Sequence, residues 1–172
     1  VTIGGTLSIV SNKYSFAATT EVLVLADLRF ARVKLFNVDF GLTGGQTPTN
    51  LNGDIELGLK EIVSGQKATL LLDQSGNNLV CGTVDENGNA QTVAVAWDTA
   101  WNGGTAELEL QWTNQHVRFL INGVEVAKIL KIATANVPKI PMNPWFKTSG
   151  TDTLKVQLVL VDNADQSSII IA

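Results

Sequence analysis

Apolar and polar residues alternate with a period of two along much of this chain, and sustained helical spacing is absent. Because successive side chains of a strand point to opposite faces, this alternation marks half-buried β-strands and predicts an all-β protein. Residues 105–112 show it best: Ala106, Leu108, Leu110 and Trp112 share one face, and Thr105, Glu107, Glu109 and Gln111 the other. Val117, Phe119 and Ile121 continue the apolar row on the next strand. A two-residue turn at Thr113 and Asn114 would set Glu109 opposite Arg118, Leu110 opposite Val117 and Leu108 opposite Phe119, all compatible cross-strand pairs. Asn122-Gly123 accepts the positive φ angles of a type I′ turn and returns the chain through Val124, Val126 and Lys128.

Residues 68–73, 79–84 and 90–97 form a second meander, joined by Asp73-Gln-Ser-Gly-Asn77 and Asp85-Glu-Asn-Gly-Asn89. In each loop the Asp is expected to cap the turn and the Gly to supply the left-handed residue of a bulged hairpin. Further strands are predicted over residues 6–10, 21–26, 29–40, 154–160 and 168–171. Long turn-rich loops are predicted over 41–52 and 136–150, the second holding Pro138, Pro141 and Pro144, and loops of this length are often functional. The expected architecture is one domain over residues 1–172, an antiparallel two-sheet β-sandwich.

Charged residues make up 16% of the chain, below the roughly 25% usual for soluble domains, so much of the surface must be uncharged. Such a surface suits an extracellular or virion protein, or a subunit that hides area against its neighbours; an ordinary β domain can share it. A net charge of −4 without any Lys/Arg cluster argues against nucleic acid, whose affinity rests on neutralised phosphates. Cys81 is the only cysteine, so no intrachain disulfide forms, and its strand setting predicts an inert buried thiol. No apolar run approaches the ~20 residues of a membrane helix, and no basic segment precedes an apolar one, so membrane insertion is not expected. A start at Val1 is compatible with a processed chain or an excised domain.

The segment Val117-Arg-Phe-Leu-Ile-Asn-Gly-Val-Glu-Val126 follows the strand Glu107-Leu-Glu-Leu-Gln-Trp112 and precedes a proline-bearing loop and a late strand at 154–161. In that order these elements resemble the concanavalin A-like (legume lectin/laminin G-like) jelly-roll superfamily over residues 55–162. The resemblance implies two curved antiparallel sheets, with ligands held on the concave face or by rim loops, and it leaves the ligand open.

Some enzymes of that superfamily cleave β-glucans with a Glu-x-Asp-x-Glu strand. Asp54-Ile-Glu56 and Glu107-Leu-Glu109 each place two carboxylates on one strand face, an arrangement acid/base glycoside cleavage can use, but neither completes the triplet. Their other reading is the solvated face of a half-buried strand, with Glu109 paired to Arg118. His116, the only histidine, begins a strand beside a turn, and no Gly-x-Ser-x-Gly elbow accompanies it. Gly4-Gly5, Gly44-Gly45 and Gly103-Gly104 are loop doublets, not phosphate loops opening a helix. Asp85-x-Asn87-Gly88-Asn89 and Asp162-Asn163-x-Asp165 gather oxygen donors that calcium could use, but both lack the remaining ligands, so turn capping is expected and no cofactor.

Trp97 and Trp101 bracket Asp98-Thr99-Ala100, Asn102 follows, and Trp145 lies in the proline-bearing loop. Aromatic faces beside amides and carboxylates grip sugars, which makes Trp97, Asp98, Trp101, Asn102 and Trp145 candidate glycan ligands; the alternative is that they plug the core or rim. Trp112, on the apolar face of its strand, is expected in the core. These features together predict a non-catalytic, surface-exposed recognition module that binds glycan on an extracellular or virion structure. The alternative is a self-assembling structural subunit, a capsid decoration, fibre or filament protein, whose apolar ends at 1–10 and 168–172 add to a neighbour's sheet edge in a homo-oligomer. A glycoside hydrolase with a departed motif, using Glu56 and Glu109, ranks third.

Overall fold

The computed structural model describes the backbone of residues 2–10, 13–24, 28–132, 136–163 and 166–171, and side chains within 13–17, 19–24, 28–132 and 136–157. Its strands are β1 (Thr2–Val10), β2 (Lys13–Leu23), β3 (Ala31–Val38), β4 (Ile55–Lys60), β5 (Lys67–Leu72), β6 (Asn78–Val84) and β7 (Ala90–Ala96), then β8 (Ala106–Trp112), β9 (His116–Ile121), β10 (Val124–Leu130), β11 (Asn143–Thr148), β12 (Thr153–Val156), β13 (Leu158–Asn163) and β14 (Gln166–Ile171). They build the all-β, antiparallel two-sheet sandwich that the alternation predicts, of the jelly-roll type that the resemblance implies. The larger sheet runs β1-β2-β11-β4-β5-β6-β7, with β12 paired to the first half of β2, and the smaller runs β10-β9-β8-β3-β13-β14.

The alternating apolar rows meet between the sheets. Ile55, Leu57 and Leu59 of β4 and Leu70 and Leu72 of β5 are buried in one cluster with Val33 and Leu35 of β3, Leu108, Leu110 and Trp112 of β8 and Phe119 of β9. Burying side chains of this size contributes about 1.5–3 kcal/mol each. Phe16 stacks on Phe146 with ring centroids 4.9 Å apart, fastening β2 to β11 on the inner side. Cys81 belongs to this core, and burial pushes its thiol up to about 12, which leaves it inert as expected.

Five local expectations are corrected. Four residues, 113–116, lie between the last paired residues Trp112 and Val117, because the Thr113 hydroxyl accepts from the Gln115 and His116 amides and the Thr113 N–H donates to the His116 carbonyl at 2.9 Å. The register therefore moves by two: Trp112 faces Val117, Leu110 faces Phe119, Gln111 faces Arg118 and Glu109 faces Leu120. A two-residue shift keeps every side chain on its predicted face, which is why the core is unaffected. Glu109 pairs instead with Arg32 at 2.6 Å, and Arg118 with Glu125. The Asn122-Gly123 turn forms as predicted, both residues at positive φ.

The proline-bearing segment 136–150, expected as a loop, contains β11, a central strand between β2 and β4. Pro144 is tolerated there because its nitrogen faces the β2 side, where β2 has ended and the Pro144 carbonyl only accepts from Val24 N–H at 2.9 Å. The strand predicted over 154–160 divides at Gln157: β12 joins the larger sheet and β13 the smaller. The chain thus crosses between sheets without a loop, as at the corners of other sandwiches. Of the two Asp-x-x-Gly-Asn loops, only Gly88 adopts positive φ, at 78°, while Gly76 does not.

Trp112 secures the segment before β11: its indole N–H donates to the buried Pro138 carbonyl at 2.9 Å. Replacing Trp112 by Phe leaves that carbonyl without its partner, and urea unfolding should show a loss of about 1–3 kcal/mol without a change in the native far-ultraviolet circular dichroism.

Candidate functional site

Because Ile55, Leu57 and Leu59 point inward, Glu56, Gly58 and Lys60 face outward from the larger sheet, and the register carries that face across its neighbours. One cross-strand row reads Glu21, Lys147, Glu56, Leu71 and Val80; the next reads Leu23, Trp145, Gly58, Thr69, Gly82 and Thr92. Lys60 and Lys67 stand directly opposite each other, which would repel. Each is neutralised by a glutamate: Lys67 Nζ lies 2.7 Å from Glu56 Oε1, and Lys60 Nζ lies 3.3 Å from Glu21 Oε1. Thr69 Oγ1 also donates to Glu56 Oε1 at 2.7 Å.

Trp145 is enclosed in this arrangement. Its indole N–H donates to Glu21 Oε1 at 2.8 Å, and the Lys60 ammonium sits 4.4 Å from the ring centroid. The ring is only 2% exposed, so the lysine occupies the aromatic face that the sequence offered to a sugar. Gly58 beside it admits no side chain, since a Cβ there would meet the Ala68 carbonyl oxygen at 2.3 Å. Burial alone would push the Glu21 carboxyl up; the Trp145 N–H, Lys60 and Lys147 outweigh it and hold the group below its ordinary 4.5.

Toward β7 the face opens into a shallow depression of about 510 Å³, including solvent at its mouth. Glu56, Lys67 and Thr69 stand at one end, Gly82 and Thr92 at the other, and Leu71, Val80 and Val84 give apolar patches between them. A few polar groups set beside apolar patches are the combination that ligand-binding clefts use.

The candidates proposed from sequence fall in two places. Trp97, Asp98, Trp101 and Asn102 gather at one end of the sandwich, where Trp97 meets Trp101 edge-on at 5.2 Å and Phe40 at 5.5 Å. Trp97 continues the inward row of Val93 and Val95, and Trp101 is buried at 9% exposure, so the indoles turn into the core. The Asn102 amide is occupied: Nδ2 donates to the Gly44 and Gln46 carbonyls at 2.8 and 2.9 Å, and Oδ1 accepts from Trp97 Nε1 at 3.2 Å. Asp98 accepts from Ala100 N–H at 2.9 Å, capping a 3₁₀ turn. The cluster thereby pins the loop at 41–46, and Trp145 lies apart from it on the outer face.

Of the acidic candidates, Asp54 accepts from Gln74 N–H at 3.1 Å and so serves the strand end, while Glu56 alone joins the outer face, followed there by Gly58 and Lys60. Glu109 is on the outer face of the other sheet, bound by Arg32 and Gln111, so Glu56 and Glu109 cannot serve one reaction. Burial would raise Glu109, but Arg32 and Gln111 hold it low. His116 is half-buried, and burial with nearby Lys128 and Arg118 lowers its pKa. The Asp85 carboxylate, buried, caps its turn: it accepts from the Asn87, Asn89 and Asn136 amides and the Asn89 side chain. Among the described residues no three His, Cys, Asp or Glu gather as for a metal; Asp165 and the side chains of Asp162 and Asn163 lie outside the described residues.

No family model matches the sequence, nor does any curated protein sequence. The fold is the concanavalin A-like jelly roll. Among solved structures, an apo Crh5 transglycosylase superposes with a TM-score of 0.74 at 13% identity, over 95% of this chain and 78% of that one. Carbohydrate-binding module CBM66 from Bacillus subtilis gives 0.62 at 9% identity, covering 95% and 94% of the two chains. A legume lectin-like domain from Entamoeba histolytica gives 0.62 at 12%, covering 95% and 89%. The expectation that the chain is not an enzyme is corrected by the first of these: the same fold carries a transglycosylase, so a missing sequence motif does not exclude catalysis.

Lys60, Lys67, Thr69, Gly82, Thr92, Lys147 and Glu21 were not singled out from sequence. Each is one polar or small residue in an alternating strand, and only the register of β2, β11, β4, β5, β6 and β7 gathers them. Since Glu21 is depressed in the folded chain, its stabilising effect is complete above the ordinary glutamate value of 4.5 and lost as the pH falls through the lower folded value. Thermal unfolding followed from about pH 6 to about pH 2.5 should therefore fall less steeply below that value in Glu21→Gln than in the parent.

Proposed function

We propose that this chain binds carbohydrate along the outer face of the larger sheet, with Glu56, Lys67, Thr69 and Thr92 supplying hydrogen bonds. The observation that carries the reading is the ordered Glu56–Lys67–Thr69 cluster at the end of an open, partly apolar depression. Lectin-like and carbohydrate-binding neighbours of the same fold support it. Low charge content supports an extracellular or virion-surface setting. The Trp97, Asp98, Trp101 and Asn102 cluster serves this reading by holding the rim in place. Isothermal titration or a glycan array tests it: Glu56→Gln and Thr92→Arg should each weaken binding at least about tenfold while Trp101→Phe has a smaller effect. Absence of binding to any glycan, or binding lost only with the tryptophan cluster, would sink it.

A second reading is favoured by the placement of Glu21 and Glu56 on either side of Lys147. Two strands apart, their backbones are about 10 Å distant. Inverting glycoside cleavage works with carboxyls about 6.5–9.5 Å apart, a range that side chains from such backbones reach. Incubation with β-glucan and chitin oligosaccharides, followed by chromatography of cleavage and transfer products, tests this reading. Turnover should fall about 100-fold or more in both Glu21→Gln and Glu56→Gln; turnover unchanged in either variant would remove that residue from the chemistry.

A further inference from the structure

Strand β7 closes the larger sheet at one edge and pairs only with β6. Its peptide groups can be assigned a direction. Trp97 N–H donates to the Asn77 carbonyl at 2.8 Å and Asp85 N–H to the Asn89 carbonyl at 3.1 Å, just beyond the two ends of the β6–β7 ladder. Antiparallel pairs alternate between bonded and non-bonded, so Gln91, Val93 and Val95 bond to β6, and Ala90, Thr92, Ala94 and Ala96 turn their N–H and C=O groups to the open side. Among the described residues nothing meets them there.

Edge strands ordinarily carry a device against pairing. The opposite sheet's edge at β10 has two: a bulge between Glu125 and Ala127, and the exposed Lys128. Strand β7 has none. Its sequence AQTVAVA holds no charge and no proline, its seven pairs with β6 run without a register shift, and its outward side chains are three alanines and a threonine, all exposed.

We propose that two copies of this chain pair through β7, antiparallel about a two-fold axis at Val93. In that register Ala90 meets Ala96 of the second copy and Thr92 meets Ala94, and the reciprocal pairs complete about eight hydrogen bonds. A second copy is the occupant that fits, because the four edge-facing residues are spaced symmetrically about Val93, and two uncharged strands meet without like-charge repulsion. The small side chains let both larger sheets continue as one, and Ala90 and Thr92, which also line the depression, bring the two depressions side by side. A strand pair about 20 Å long is at the weak end of interfaces, so association belongs to the micromolar-to-millimolar range.

Sedimentation of the full chain from about 1 μM to about 1 mM should show a monomer–dimer equilibrium. Hydrogen exchange at the Thr92 and Ala94 amides should slow as dimer accumulates. Ala94→Pro removes an edge-facing N–H without touching a bond to β6, and Ala94→Lys brings two ammonium groups together; each should raise the dissociation constant about thirtyfold or more. If the proline variant loses its β-sheet circular dichroism, the lysine variant at this exposed position decides. A monomer throughout the range overturns the proposal, as does a dimer that both substitutions and the two amides leave unchanged. Edge amides protected only by an added peptide would assign the edge to a different partner and overturn it equally.

Discussion

The interior shared by the two sheets is the constraint from which the remaining structure follows. Ile55, Leu57 and Leu59 have no exposure at all, and their burial against β3 and β8 fixes which way every other residue of β4 must point. Once Glu56 and Lys60 are forced outward, hydrogen-bonded register places Lys67 and Thr69 beside them from β5, and Lys147 and Trp145 from β11. Charge placement is thus a by-product of packing. Opposed lysines on neighbouring strands are tolerated only because two glutamates arrive with the same register.

The two outer faces differ in chemistry. On the smaller sheet, Lys34 with Glu107, Arg32 with Glu109 and Arg118 with Glu125 form a ladder of paired charges that covers Leu120 and leaves a solvated surface. On the larger sheet the charges are confined to one half, and toward β7 they give way to glycine, valine, threonine and alanine. A ligand or a second copy meets far less fixed charge there, and less hydration to displace.

How much of this was legible in the sequence depended on range. The meanders β5–β6–β7 and β8–β9–β10 were readable because their partners are adjacent in the chain and two of their turns, at Gly88 and at Asn122-Gly123, place the expected residues at positive φ. The four-residue turn at 113–116 was misjudged because Thr113 closes it through its side chain, a bond that leaves no periodic trace. Strand β11 was hidden by three prolines nearby, since nothing in the local sequence says that the nitrogen of Pro144 points to where a distant strand has stopped. The candidate site was legible only at Glu56 and Trp145, because its other members are single residues on β2, β4, β5, β6, β7 and β11, and the pairing of β11 with β2 and β4 is long-range. The tryptophans were visible as tryptophans, but whether an indole faces water or the core is decided by its row, and Trp97 continues the inward one.

The position of β11 also bears on how the molecule comes to be assembled. It lies between β2 and β4, the second of which precedes it by about half of the chain and the first by more, and it alone joins the two halves of the larger sheet. During synthesis the meander from β4 to β7 and the hairpin of β1 with β2 emerge early but have no edge in common. Until residue 148 has left the ribosome, both present open ladders to the cell. Closure is therefore a late event with a long loop to tie, which favours slow folding and makes any chaperone that shields nascent edges a determinant of yield.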